Sequence, residues 1–359
     1  MSETTKLQRD SNIELLRLVL MMMVVLLHFN FDTMGGAFIL VKGKTIDNFI
    51  LHFLESLSVC AVNCFMIVSG FFLYTNKQIK FSKILDIILI VIFYNYINYF
   101  CKVIFSDESL SLKSVISCTF PANYFAIFYV ISYILSPYIS KIYRELNYKK
   151  VDFLTMIICV LFIGIPTFVD VAKDLNYFKT DPGFLSPISI YGNVCGYTIV
   201  QFVVSLSIGM WIRKREIQIK TSILLCIYIT SSLLLTIGIY KLPSLYNYCS
   251  CLTVVNAMCL FLLFQKIRIQ NIFINYAAKS CFAIFCIHVG GFANGLWKQY
   301  MITEEHLSYG VFTTLWWTAL SVGVMFFGCL LLSIIMRIIF GKVKDLLCKK
   351  MPVIYIENE

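Results

Sequence analysis

Few side chains in this sequence could do chemistry inside an apolar environment, and two of them share one run. Arg17 and His28 lie eleven residues apart within the apolar stretch from Ile13 to Phe31. At about 100° per residue they share one helix face to within about 20°, roughly 16 Å apart along the axis. Ionisable groups inside an apolar span are costly and generally face a protein interior or a wet cavity. One face of one helix thus presents a fixed cation near one end and a proton-transfer group near the other. A guanidinium suits phosphates and other anionic groups, and Glu14, one turn earlier, can orient it. An imidazole suits a general base. Read singly, Arg17 is also a cation that snorkels to a membrane surface, and His28 a hydrogen bond to a neighbouring helix.

A second apolar run begins with His52 and Glu55. If it returns antiparallel to the first, these two lie at a depth similar to that of His28. A carboxylate beside an imidazole fixes its tautomer and raises its basicity, so Glu55 is the expected partner of His28, and His52 an expected cavity wall. Asn63 and Ser69-Gly70 follow in the same run. Ser69-Gly70 reads first as a close helix contact, because small residues let helices approach, and there is no Gly-x-Ser-x-Gly elbow around Ser69. Lys77, Lys80 and Lys83 form a basic cluster after this run, and Arg213, Lys214 and Arg215 form another. Both read mainly as topology signals, with phosphate binding as a secondary role. His288 ends the stretch Ser280–His288 and reads as mid-span, a further candidate cavity-lining residue. His306 reads as a solvated loop residue and Asp86 as a structural one. No cysteine spacing suggests a metal site: Cys249 and Cys251 are too close for a zinc-type pair. All fourteen cysteines read as reduced packing residues.

The elements that must position these groups are transmembrane helices. The chain has 359 residues, 59% hydrophobic and 14% charged, against about half and a quarter for a soluble domain. The excess runs along the whole sequence, which leaves no stretch for a separate soluble domain. Runs of span length fall near 13–31, 49–75, 84–105, 122–140, 153–169, 194–212, 222–240, 249–265, 277–297 and 313–340. The expectation is an all-α polytopic protein with about ten spans. Pro137 and Pro166 are expected to kink or end the fourth and fifth. Counting alternate loops puts 22 of the 30 Lys and Arg residues on the side of the N-terminus. By the positive-inside rule both termini are expected in the cytoplasm. The net charge of +10 is spread over these short clusters, which argues against nucleic acid as a partner. The outer loops are short; the longest, about 170–193, carries Asp170, Asp174, Asp181, Pro182, Gly183 and Pro187.

Three stretches give the chain a family resemblance. Asn12-x-Glu14-Leu15-Leu16-Arg17, with His28 eleven residues beyond the arginine, resembles the first span of the membrane acyltransferase-3 family. Asn63 to Leu73, followed by basic residues, looks like the family's second span. Ser280 to His288 looks like its late span ending in a histidine. The resemblance implies one transmembrane acyltransferase domain over residues 1–350, with a short tail over 351–359. It implies a bacterial cytoplasmic-membrane enzyme that moves an acyl group, chiefly acetyl, from cytosolic acyl-CoA to a hydroxyl of a surface or lipid-linked polysaccharide. His28 and Glu55 would be catalytic. Arg17, Glu14, Lys77, Lys80 and Lys83 would hold the donor, and His52, Asn63, Ser69 and His288 would line the cavity. Acetyl-CoA would be a substrate, with no bound cofactor and no metal. The three lysines stand where the family usually carries arginines, and lysine is not equivalent to arginine at a phosphate. A transporter or flippase of polysaccharide precursors would line its path with similar groups. A glycan polymerase would call for a larger outer loop.

Overall fold

The computed structural model describes residues 10–105, 108–178, 196–307, 310–349 and 351–356. Lys6, Arg9, Lys179 and Lys350, and the loop residues Asp181, Pro182, Gly183 and Pro187, lie outside them. The described residues are helical almost throughout. Its main helices are α1 (Ser11–Asn30), α2 (Thr45–Ser58), α3 (Ala61–Leu73), α4 (Phe81–Phe105), α5 (Tyr124–Glu145), α6 (Tyr148–Asp174), α7 (Ile199–Arg215), α8 (Thr221–Gly238), α9 (Cys251–Gln265), α10 (Ile272–His288), α11 (Gly291–Met301) and α12 (Val311–Cys348). Strands β1 (Gln78–Lys80) and β2 (Val353–Tyr355) pair antiparallel.

Among the described residues, eight helical segments are long and apolar enough to cross a membrane, with α2 and α3 together forming one of them. Counting α10 and α11 as one bent span gives nine. Among the described residues, every expected run contains a helix. The sixth run, α7, has 17 helical residues, short for a bilayer of about 30 Å at about 1.5 Å per residue. The ninth run is not the straight span expected: α10 and α11 meet at an 80° bend.

Neither proline ends its span. Pro137 sits inside α5, which continues to Glu145. Proline has no N–H for the carbonyl one turn back, and Ser136 Oγ donates to that Tyr133 carbonyl instead, at 2.8 Å. Near Pro166 the helix widens into a π turn at Val160–Gly164 and then continues to Asp174. Thr167 Oγ1 donates to the Ile163 carbonyl at 2.7 Å. At Pro137 a side-chain hydroxyl thus replaces the lost ladder bond.

Helix α1 runs through the centre, packed by α2, α3, α9, α10 and α12. Its inward residues Leu16, Leu20, Val25 and Phe29 are fully buried. Helices α3 and α7 make the closest crossing. A Cβ at Gly70 would overlap the Leu206 carbonyl, and one at Gly209 would overlap the Ile67 carbonyl. The Ser69-Gly70 contact expected from sequence is therefore made by the glycine. The basic loops gather on one face. Asn12 Nδ2 donates to the Phe264 carbonyl at 3.0 Å, Arg144 Nη1 to the Tyr74 carbonyl at 2.8 Å, and Lys214 Nζ to the Tyr143 carbonyl at 2.6 Å. The N-terminal end of α1 and the pair β1–β2 lie on this same basic face.

Candidate active site

The C-terminal half of α1 and the end of α10 place two histidines against each other. His28 Nδ1 lies 2.7 Å from His288 Nε2, with the rings stacked at 4.9 Å between centroids. His288 Nδ1 lies 2.8 Å from the Ile284 carbonyl oxygen. A carbonyl can only accept, so His288 Nδ1 carries a hydrogen. With both rings neutral, His288 Nε2 then accepts from His28 Nδ1–H, and the lone pair of His28 falls on Nε2. The chain Ile284 carbonyl, His288, His28 thereby selects the tautomer that leaves a base on the outer nitrogen. His288 is fully buried, whereas His28 keeps part of its surface exposed.

His288 occupies this position because its helix stops there. Gly290 N–H bonds to the Ile287 carbonyl at 3.0 Å, not to that of Cys286 four residues back. Asn98 Nδ2 from α4 donates to the Cys286 carbonyl at 3.3 Å. A Cβ at Gly290 would overlap the Asn98 amide, so the break requires glycine at that close approach. His288 is the last residue of its helix, presented at the bend between α10 and α11, which is the middle of the bent pair 272–301.

An aromatic wall leads from the histidines toward the basic face. Phe285 lies 6.3 Å from His28 and 5.7 Å from Phe125, which stacks on Tyr129 at 6.3 Å. Lys83 Nζ sits 5.6 Å from the Tyr129 ring centroid and 4.4 Å from that of Tyr133, within cation–π range. Lys80 N–H donates to the Tyr133 hydroxyl at 3.0 Å. Arg17 Nη1 bonds Glu14 Oε2 at 2.7 Å, and Tyr129 and Cys281 lie close enough to act on its charge. The pairing of Glu14 with Arg17 expected from sequence is present. Arg17 and Lys83 thus both lie near Tyr129, whereas Lys80 meets Tyr133 through its backbone and its side chain is exposed. Lys77 is farther along the turn, and its carbonyl accepts the Ile356 N–H at 3.0 Å beside β2.

Other sequence candidates have different partners. Glu55 Oε2 accepts from Asn30 Nδ2 at 2.8 Å, and the ring partner of His28 is an imidazole, not this carboxylate. His52 stacks on Phe38 at 4.3 Å and meets Tyr240 edge-on at 5.5 Å, away from His28. From α2, His52 meets Phe38 beyond α1 and Tyr240 beyond α8, and Glu55 meets Asn30 at the end of α1, whereas His28 faces α10. Asn63 Nδ2 donates to the Tyr248 carbonyl at 2.7 Å, and its Oδ1 accepts from Gln201 Nε2 at 3.1 Å. This ties α3 to α7 and to the turn before α9. Ser69 Oγ donates to the Phe65 carbonyl at 2.9 Å, a bond within its own helix. His306, expected to be solvated, stacks on Trp317 at 3.8 Å. Asp86, expected to be structural, pairs with Lys344. No three His, Cys, Asp or Glu side chains gather to hold a metal ion among the described residues.

Sequence reasoning missed Tyr129, Tyr133, Asn30 and Asn98. The two tyrosines are four apart on one helix, a spacing that puts them on one face. The two asparagines are amides within apolar runs, a signal of interior hydrogen bonding.

A family model described as an acyltransferase domain matches residues 10–334. No curated protein and no solved structure matches the chain.

Proposed function

From the premise that this chain belongs to the membrane acyltransferase-3 family, we propose an O-acyltransferase of the bacterial cytoplasmic membrane. It takes an acetyl or other acyl group from cytosolic acyl-CoA and passes it to a hydroxyl of a surface glycan or lipid-linked saccharide. The observation that carries this reading is the oriented imidazole: His28 held by His288, which is held in turn by the Ile284 carbonyl.

The chemistry follows from that geometry. The acceptor hydroxyl gives its proton to His28 Nε2 as its oxygen attacks the thioester carbonyl. The tetrahedral intermediate then collapses. The C–O bond is retained, the C–S bond breaks, and the departing thiolate takes the proton back from the imidazolium. His288 keeps the ring in place throughout and accepts from Nδ1–H, the role an orienting residue plays behind a catalytic base. Arg17, about 16 Å down the same helix, binds anionic groups of the donor, with Lys83 near the same Tyr129 ring. An extended pantetheine arm covers a comparable distance, so phosphates at the basic face and a thioester at the histidines can belong to one donor. The aromatic wall excludes water, which would otherwise compete as acceptor.

The test is CoA release from acetyl-CoA by protein purified in detergent, with and without a glycan acceptor. Acceptor-dependent release supports the reading. No release together with no binding of acetyl-CoA refutes it.

A further inference from the structure

Away from the histidines and Arg17, a hollow of about 630 Å³ opens on the basic face, between the end of α7, the start of α8 and the end of α9. That size is in the range of small-molecule sites. Arg213, Lys266 and Arg268 line it, with Gln218, Thr221 and Glu216.

Basic residues in an inner loop need only signal topology, so the question is what these particular ones do. Of the triplet Arg213-Lys214-Arg215, two have structural work. Lys214 Nζ donates to the Tyr143 carbonyl at 2.6 Å, and Arg215 Nε pairs with Asp152 at 3.4 Å. Arg213 turns the other way and lies over the Phe71 ring, 4.8 Å from its centroid. Stacking on a ring fixes the guanidinium plane while leaving its edge donors available. Lys266 and Arg268 come from a different loop and face the same hollow. Among the described residues, none of these three cations is within ion-pair distance of a carboxylate. Only Glu216 opposes them in the lining, so positive charge remains uncompensated. The N-terminal turn of α8 begins at Thr221 on the rim, and no side chain caps it. Uncapped N–H groups at a helix start favour anions. Asn12 Nδ2 also reaches the Gln265 carbonyl at 3.5 Å, which ties the hollow to the helix that carries Arg17.

We propose that this hollow binds a phosphate-bearing ligand, with Arg213, Lys266 and Arg268 as its anion-recognising groups. Two sources carry that chemistry: the nucleotide end of an acyl-CoA, and the head of an anionic phospholipid. The first rests on the acyl-transfer reading; the second stands without it.

The experiment uses the full chain in nanodiscs and two probes. Adenosine 3′,5′-bisphosphate binding is measured by calorimetry, and retained phosphatidylglycerol by mass spectrometry against phosphatidylcholine. The variants are Arg268→Gln alone, Lys266→Gln with Arg268→Gln, and Arg215→Gln as the control cation outside the hollow. The expected result is about tenfold weaker bisphosphate binding for each lost charge-assisted contact, with Arg215→Gln unchanged. Loss of phosphatidylglycerol from the double variant, without bisphosphate binding to wild type, also supports the phosphate site and names the lipid as its source. Wild-type values for both probes in the double variant would overturn the proposal. So would equal weakening in Arg215→Gln, which would mark general surface charge. CoA release and acetyl-CoA binding are followed alongside: a protein that retains phosphatidylglycerol at this site but neither binds acetyl-CoA nor releases CoA keeps this site and loses the acyl-transfer reading.

Discussion

Replacing His288 by leucine should slow acyl transfer without dismantling the protein. Leucine fills much of the buried volume but offers His28 Nδ1–H no acceptor in place of the one now 2.7 Å away. The neighbour on that side is Phe285, whose ring centroid is 6.3 Å off and cannot replace it. The preference for hydrogen on Nδ1 is then lost, and the ring moves its hydrogen to Nε2, where the base is needed. An unmade buried hydrogen bond costs about 1–3 kcal/mol, and each 1.4 kcal/mol or so is tenfold in rate. The expected fall in kcat is therefore roughly 10- to 100-fold, with KM for acyl-CoA unchanged because the proposed function assigns the donor's anionic end to Arg17. His288→Gln keeps an acceptor oxygen at a similar reach and should recover most of the rate. His28→Ala combined with His288→Leu should be no slower than His28→Ala alone, since the second residue acts only through the first. The assay is steady-state CoA release by each variant at matched membrane insertion. A His288→Leu rate within about threefold of wild type, or a double variant well below His28→Ala, would refute this role.

Three further outcomes follow from other contacts. Arg17→Gln should raise KM for acyl-CoA by about tenfold, the worth of a charge-assisted contact to a phosphate, while kcat stays within a few-fold; the same CoA-release assay over a range of donor concentrations reads both. Glu55→Gln should keep roughly wild-type kcat, because a glutamine oxygen can accept from Asn30 Nδ2 as the carboxylate does at 2.8 Å; a fall of about a hundredfold, the lower range for a lost acid–base group, would restore the carboxylate as partner of the base. Gly70→Ala should lower the melting temperature in detergent by the equivalent of about 1–3 kcal/mol, because its Cβ meets the Leu206 carbonyl, whereas Gly323→Ala, with open space around it, should cost nothing.

The sequence was most legible where one physical constraint acted alone. The helices followed from apolar length, although eight or nine segments among the described residues, against the ten runs read, are long and apolar enough to cross a membrane. The Glu14–Arg17 pair followed from helical spacing, and Gly70 marked a helix crossing because only glycine allows it. Partners between distant helices were harder to read. Glu55 was matched to His28 by depth alone, but depth says nothing about rotation, and α2 turns Glu55 toward Asn30. The role of His288 depended on a helix break at Gly290-Gly291 and on Asn98, 188 residues from Cys286, taking over its carbonyl. Pro137 does not end its helix, because Ser136 supplies the missing bond and the helix runs on to Glu145.

The central claim is that an oriented His28 passes an acyl group from acyl-CoA to a glycan hydroxyl. Its most direct test is acceptor-dependent CoA release from acetyl-CoA, wild type beside His28→Ala. The account predicts release by wild type that falls by about a hundredfold or more in the variant, as the loss of a general base requires, with the variant still inserted in the membrane. Release that persists undiminished in His28→Ala would contradict it.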